Sequence, residues 1–189
     1  MSRPSLAQAA RGRPLRLMFQ DEGRFGRLSD PRRCWAPPGV RPQVGAQAVR
    51  ESLYAFAALS PHDGVLDSLI LPEANTAMMQ LFLDEVARRH DKEFVIMLMD
   101  QAGWHTAKAL RAPDNLALDW LPPYSPQCNP VEHLWEELRE KHFSNRVFQS
   151  LDVVEETLIT GLAALEADAR RVQSLSGFDW IISIPLNAT

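Results

Sequence analysis

Residues 94–99, Phe-Val-Ile-Met-Leu-Met, are apolar without interruption and stop on Asp100. A strand with no polar face has to be covered on both sides, which fits a sheet between helices and not a sheet with one wet face. A second apolar run, Leu-Arg-Leu-Met-Phe-Gln at 15–20, stops in the same way on Asp21. Carboxylates at the ends of buried strands stand where open α/β sheets place ligands. Each has an equally good structural reading: Asp100 precedes Gln-Ala-Gly and can cap the amides of a turn, and Asp21 can close its strand likewise. Strand alternation sends Asp21 and Glu22 to opposite faces, so only one of them is expected in a shared site.

The rest of the chain can be laid out around these two runs. Residues 1–13 read as a disordered basic lead-in, 14–180 as one folded domain and 181–189 as a tail. Gly, Pro and Arg dominate 23–42, the composition of a hairpin with an irregular loop. Strands are expected at 52–60 and 64–72 around the turn signal His62-Asp63-Gly64, and at 116–121. Asn75 can cap a helix that runs to about residue 90, a short helix is expected near 106–111, and further helices at 129–143 and 150–170. Three strands, then alternating helices and strands, predict a mixed α/β sheet: an antiparallel meander extended by parallel strands and flanked by helices. The ribonuclease H-like fold has this order and is one candidate among several.

Hydrophobic residues form 46% of the 189, enough for a substantial core. No apolar run reaches the length of a membrane span, and the first 14 residues lack the apolar stretch of a secretory signal. Two cysteines, Cys34 and Cys128, have neither pairing nor zinc spacing, so a reducing cytoplasmic setting is the default. The net charge of −4 hides a division: residues 1–50 hold ten Arg against three acids, a local balance of +7. Such a division fits either an arginine face that meets phosphates or a solvated surface with a basic tail.

The proline-rich stretch at 121–130 leads into a helix that begins near Glu132. By spacing, Asn129 and Glu132 form a capping box, in which the glutamate folds back on its own backbone. The alternative is that the same helix end presents Glu132 to Asp21 and Asp100, since three carboxylates suit divalent cations and phosphate chemistry. His105, just after Asp100, can donate to a metal-bound carboxylate or contact a phosphate, or be a satisfied structural histidine. Leu134, Trp135 and Leu138 read as the core face of their helix.

The segments FQDEGRFGR (19–27), MDQAGWH (99–105) and LPPYSPQCNPVEHLWEELRE (121–140) resemble DDE transposases of the mariner superfamily, and within it the bacterial insertion sequence 630 type. The resemblance covers roughly 15–180 and implies a ribonuclease H-like catalytic domain. It assigns Asp21, Asp100 and Glu132 as catalytic and metal-binding carboxylates for two Mg²⁺ ions, with Mn²⁺ as a substitute, and matches His105 to a histidine that supports them. It implies DNA as partner, both as element ends and as a TA target step, a homodimer on DNA, and a cytoplasmic, nucleoid-associated location. Arg24, Arg27, Arg32 and Arg33 are the candidates for phosphate contacts. The interval from Asp100 to Glu132 is slightly shorter than in that family, and helix-turn-helix modules are not seen ahead of the domain. A catalytic domain alone is therefore expected, either the second frame of a split element that works with a separate helix-turn-helix protein or a truncated copy. A nuclease that does not join strands and a catalytically silent remnant are the alternatives.

Overall fold

The computed structural model describes residues 10, 12–29, 31–103, 105 and 109–186. Five strands form one mixed sheet: β1 (Leu15–Leu28), β2 (Ala48–Leu59), β3 (Leu66–Leu71), β4 (Phe94–Met99) and β5 (Leu116–Trp120), in the order β3-β2-β1-β4-β5. The first three pair antiparallel, while β4 runs parallel to both β1 and β5. This is the expected ribonuclease H-like arrangement, with β1 at its centre.

The alternation along β1 decides what lies on each face. Met18 points to one side, where it is buried with Phe56, Met97 and the helix α1 (Thr76–Arg89) through Met79, Phe82 and Val86. Leu17 and Phe19 point to the other, against α2 (Val131–Leu138), α3 (Leu151–Glu166) and α4 (Ala169–Ser176). Full burial of each such side chain contributes roughly 1.5–3 kcal/mol. Asn75 caps α1 by accepting from the Met78 amide at 3.0 Å. At the end of the sheet where β1 and β4 begin, Arg16 binds Glu93 and Asp63, and His90 bridges Asp67 at 2.7 Å and Glu93 at 2.9 Å. These contacts join β1, β3 and the end of α1 to the segment leading into β4.

Several elements depart from the sequence reading. β1 does not stop near residue 20 but continues to Leu28, paired with β2 up to a bulge between Gly26 and Leu28. Gly23 sits inside this strand for packing and not for a turn, because a Cβ there would stand 2.8 Å from the Trp135 ring. The helix expected from 129 begins at Val131 and passes at Arg139–Phe143 into a π-helical turn. The helix expected to reach 170 ends at Glu166, where Asp168 starts α4 by accepting from the Arg171 amide at 3.0 Å. A short helix, α5 (Asp179–Ile182), follows, and Ile181 at the start of the expected tail is fully buried. Of the helix expected at 106–111, residues 106–108 lie outside the described residues, and 110–111 are irregular. The lead-in at 1–13 lies mostly outside them as well. No helix among the described residues is long and apolar enough to cross a membrane.

Candidate active site

The parallel pairing of β1 with β4 ends at Phe19 and Leu98. Beyond it β1 follows β2 and β4 gives way to a loop, so the sheet opens into a cleft at the carboxyl end of β4, the usual position for a ligand in such a sheet. Asp21 enters this cleft from β1, Asp100 from the end of β4 and Glu132 from the first turn of α2, with Tyr124 and Asn129 of the proline-rich loop completing its wall. The cleft has a volume of about 430 Å³. Backbone and side-chain bonds hold the loop in place: the Leu121 amide donates to Met99 O at 2.8 Å, and Gln101 Nε2 donates to Leu121 O at 3.0 Å.

Asn129 explains how Glu132 reaches the cleft. Its Nδ2 donates to Gln20 O at 3.0 Å, its Oδ1 accepts from the Val131 amide at 3.2 Å, and it is buried. The start of α2 is thereby tied to the β1 residue that precedes Asp21. A capping-box glutamate would need the Asn129 amide, but that group donates to Pro126 O at 2.9 Å. The box expected from spacing is therefore not made.

The three carboxylates differ in environment. Asp21 Oδ2 accepts from Trp135 Nε1 at 2.8 Å, a role for Trp135 beyond the core packing read from the sequence. Burial, followed by the charges of Glu132 and Glu22, pushes the Asp21 carboxyl up to about 7 against the indole bond. Asp100 is half exposed and is held below the usual carboxylate value by its hydrogen bond to His105. It also accepts from the Ala102 amide at 3.0 Å, so its turn-capping role is real.

His105 is almost wholly buried between two acids, with Nδ1 2.7 Å from Asp100 Oδ1 and Nε2 2.8 Å from Glu22 Oε1. Burial alone would lower its pKa, but the bonds to Asp100 and Glu22 outweigh that and raise it to about 10, so it is an imidazolium at neutral pH. Strand alternation, which places Glu22 away from Asp21, is correct about the faces and incomplete about the consequence: through His105, Glu22 reaches Asp100 from the opposite side. Nothing in the sequence signals this link, which spans 83 residues.

As donors, these groups suit a hard divalent cation: carboxylate oxygens, two of them in mutual repulsion, in a cleft open to solvent. Among the described residues, no three His, Cys, Asp or Glu side chains stand close enough to enclose one ion. The carboxylates line the cleft without forming a closed single-ion cage. Tyr124 at the lip has φ +56° and a fully exposed side chain. That left-handed conformation costs a non-glycine residue about 1 kcal/mol or more, and no packing of the ring offsets it. Of the four expected arginines, Arg24, Arg27 and Arg32 line a second pocket at the far end of β1, and Arg33 is exposed outside it.

Comparison with known proteins places the fold and the family. An uncharacterized protein of Sinorhizobium fredii, y4pE/y4sA, is 42% identical over 100 residues, which are 52% of this chain and 74% of that protein. The fold is similar to a pre-cleavage Mos1 transpososome, with TM-score 0.62, 19% identity and coverage of 89% of this chain and 55% of that one. It is similar also to the Mos1 mariner paired end complex with Mn, at TM-score 0.58, 22% identity and coverage of 86% and 54%. The catalytic domain of Mos1 mariner transposase superposes with TM-score 0.53 and 17% identity, covering 89% of this chain and 81% of that domain. The chain thus spans little more than half of the Mos1 chains in the two complexes, and at these identities the likeness is one of fold. The sequence profile of the DDE superfamily endonucleases matches residues 16–155, and the chain belongs to that family.

Proposed function

We propose that this chain is the catalytic domain of a transposase of the mariner superfamily, of the insertion sequence 630 type, which cuts and joins DNA strands with divalent metal ions. The observation that carries the reading is the meeting of Asp21, Asp100 and Glu132 at one cleft in a chain of the DDE endonuclease family. Solved Mos1 paired end complexes contain Mn or Mg, which supports the same ions here. Two Mg²⁺ ions at this site would polarise the scissile phosphate and lower the pKa of the attacking hydroxyl or water.

The chain's own residues divide the remaining work. Asp21 and Glu132, at close quarters, supply the negative charge that draws cations in, and the Trp135 indole fixes one oxygen of Asp21. His105 holds Asp100 at the cleft wall, with Glu22 behind it. Tyr124, exposed at the lip, offers a ring to the bases beside the cut. Phosphates and water would complete the coordination that three carboxylates alone leave open. The DNA partners are the element ends and a TA target, engaged by a homodimer, with end recognition supplied by helix-turn-helix modules in cis or on a separate protein.

The test is an assay with Mn²⁺, supercoiled plasmid and a short duplex ending in a free 3′-hydroxyl. Nicking together with covalent joining of the duplex is the expected result, and Asp100→Asn abolishes both while melting as the parent does. Nicking without joining makes the chain a nuclease. If calorimetry detects no Mn²⁺ binding with DNA present, the reading fails.

A further inference from the structure

A second pocket, of about 260 Å³, lies where β1, the start of β2 and the π-helical turn after α2 meet. Six arginines line it: Arg24, Arg27, Arg32, Arg50, Arg139 and Arg146. Glu51 pairs with Arg27, and Glu140 with Arg32, so among the described residues six guanidinium groups face two carboxylates. This excess of four positive charges gathers in one pocket of a chain whose net charge is −4. Like charges this close repel, and the fold holds two of them against aromatic rings: Arg139 lies 5.2 Å from the Phe25 ring centre and Arg146 5.4 Å from that of Phe148. Arg27 is fixed further by donating to Phe148 O at 2.9 Å. Such a pocket is built for a polyanion.

Its position says which one. β1 and α2 both lead from the acidic cleft to this pocket. Asp21 and Arg27 share one strand, six residues apart, or about 20 Å. Glu132 and Arg139 lie seven residues apart along the α2 axis and the turn that continues it, or about 10 Å. Duplex DNA advances about 3.4 Å per nucleotide, so this interval corresponds to roughly three to six nucleotides.

We propose that the arginine pocket seats the DNA backbone three to six nucleotides from the phosphate that reacts at the acidic cleft. Arg50, Arg139 and Arg146 become phosphate contacts alongside Arg24, Arg27 and Arg32. The proposal rests on the reading of the cleft as the cutting site. The pocket then acts by positioning, because the backbone it holds fixes which phosphate reaches Asp21, Asp100 and Glu132.

The experiment measures binding of a labelled blunt duplex across a KCl series for the parent, Arg50→Gln, and the triple variant that adds Arg139→Gln and Arg146→Gln. The slope of log affinity against log salt is expected to fall by about 0.9 for each phosphate contact removed. Arg139→Lys, which keeps the charge, should retain the parent slope. Arg50 is exposed, so Arg50→Gln carries the test even if the triple variant folds poorly. Unchanged slopes in both glutamine variants overturn the proposal. Mn²⁺ binding and nicking by the parent are scored separately. Their loss with reduced slopes would refute the cleft reading and leave the pocket as a DNA site, whereas normal nicking with unchanged slopes would refute the pocket alone.

Discussion

Asp21→Asn should make the metal-free protein more stable. The Asp21 carboxyl is raised from 3.8 to about 7, first by burial and then by the neighbouring charges of Glu132 and Glu22. A shift of roughly three units corresponds to about 4 kcal/mol of differential stabilisation between its protonation states. Below pH 3.8 the group is protonated both folded and unfolded, and its stabilising share is fully present. As pH rises towards 7 the folded state alone keeps the proton, and that share is lost progressively. Above 7 the fold carries a buried anion beside Glu132 and the whole amount is gone. Asparagine retains an oxygen for the Trp135 indole, bonded at 2.8 Å in the parent, and removes the charge. In EDTA at pH 8 the variant should therefore gain up to about 4 kcal/mol, a melting increase on the order of 10 °C for a domain of this size. At pH 4 the two proteins should melt together. Mn²⁺ should raise the melting temperature of the parent and not that of the variant, since the charge that strains the protein in EDTA is the one that would hold the ion. Thermal melts at the two pH values decide the matter. Equal melting at pH 8, or a gap that persists at pH 4, refutes the reasoning.

Glu22→Gln keeps the shape of the side chain but weakens the grip of His105 on Asp100, so Mn²⁺ affinity measured by calorimetry should drop about 10–100-fold while the far-ultraviolet spectrum stays unchanged. An affinity equal to the parent's would separate Glu22 from the site. Trp135→Phe removes the donor to a buried carboxylate and should cost about 2–3 kcal/mol in urea unfolding at pH 8, with a smaller loss at pH 4; a loss that does not depend on pH would mean that only packing was disturbed. His90 is raised above 6.5, chiefly by its bond to Asp67, so the stability it contributes is complete below pH 6.5 and fades as pH climbs through its folded value. The stability difference between parent and His90→Gln should accordingly narrow above neutrality, and a constant difference from pH 6 to 9 would count against the ion pair.

Much of the fold is legible along the chain because the signals are local. The doubly apolar run at 94–99 requires cover on both faces, and α1 and α2–α4 supply it. Asn75, the turn before Gly64 and the breaks around each element lie within a few residues of what they control. The extent of β1 is not legible, because Gly23 and Gly26 read as turn formers when considered alone. Only the approach of Trp135 shows that Gly23 is small to make room for a ring.

Asp21, Asp100 and Glu132 can be picked out as acids that follow two apolar runs and open a helix, although Asp21 proves to lie within β1 and not at its end, and whether Glu132 caps its own helix or faces the cleft is a tertiary question. It turns on the Asn129 amide, which Pro126 O takes, and on the Asn129 side chain, which ties α2 to Gln20. The chain Glu22–His105–Asp100, the indole on Asp21 and the gathering of Arg50, Arg139 and Arg146 with the β1 arginines are likewise products of the assembled fold. Periodicity and propensity act over a few residues and specify which elements form and which faces are apolar. A hydrogen bond or a charge cluster between residues far apart in sequence depends on strand register and helix placement, which are set only when the two cores close on the sheet.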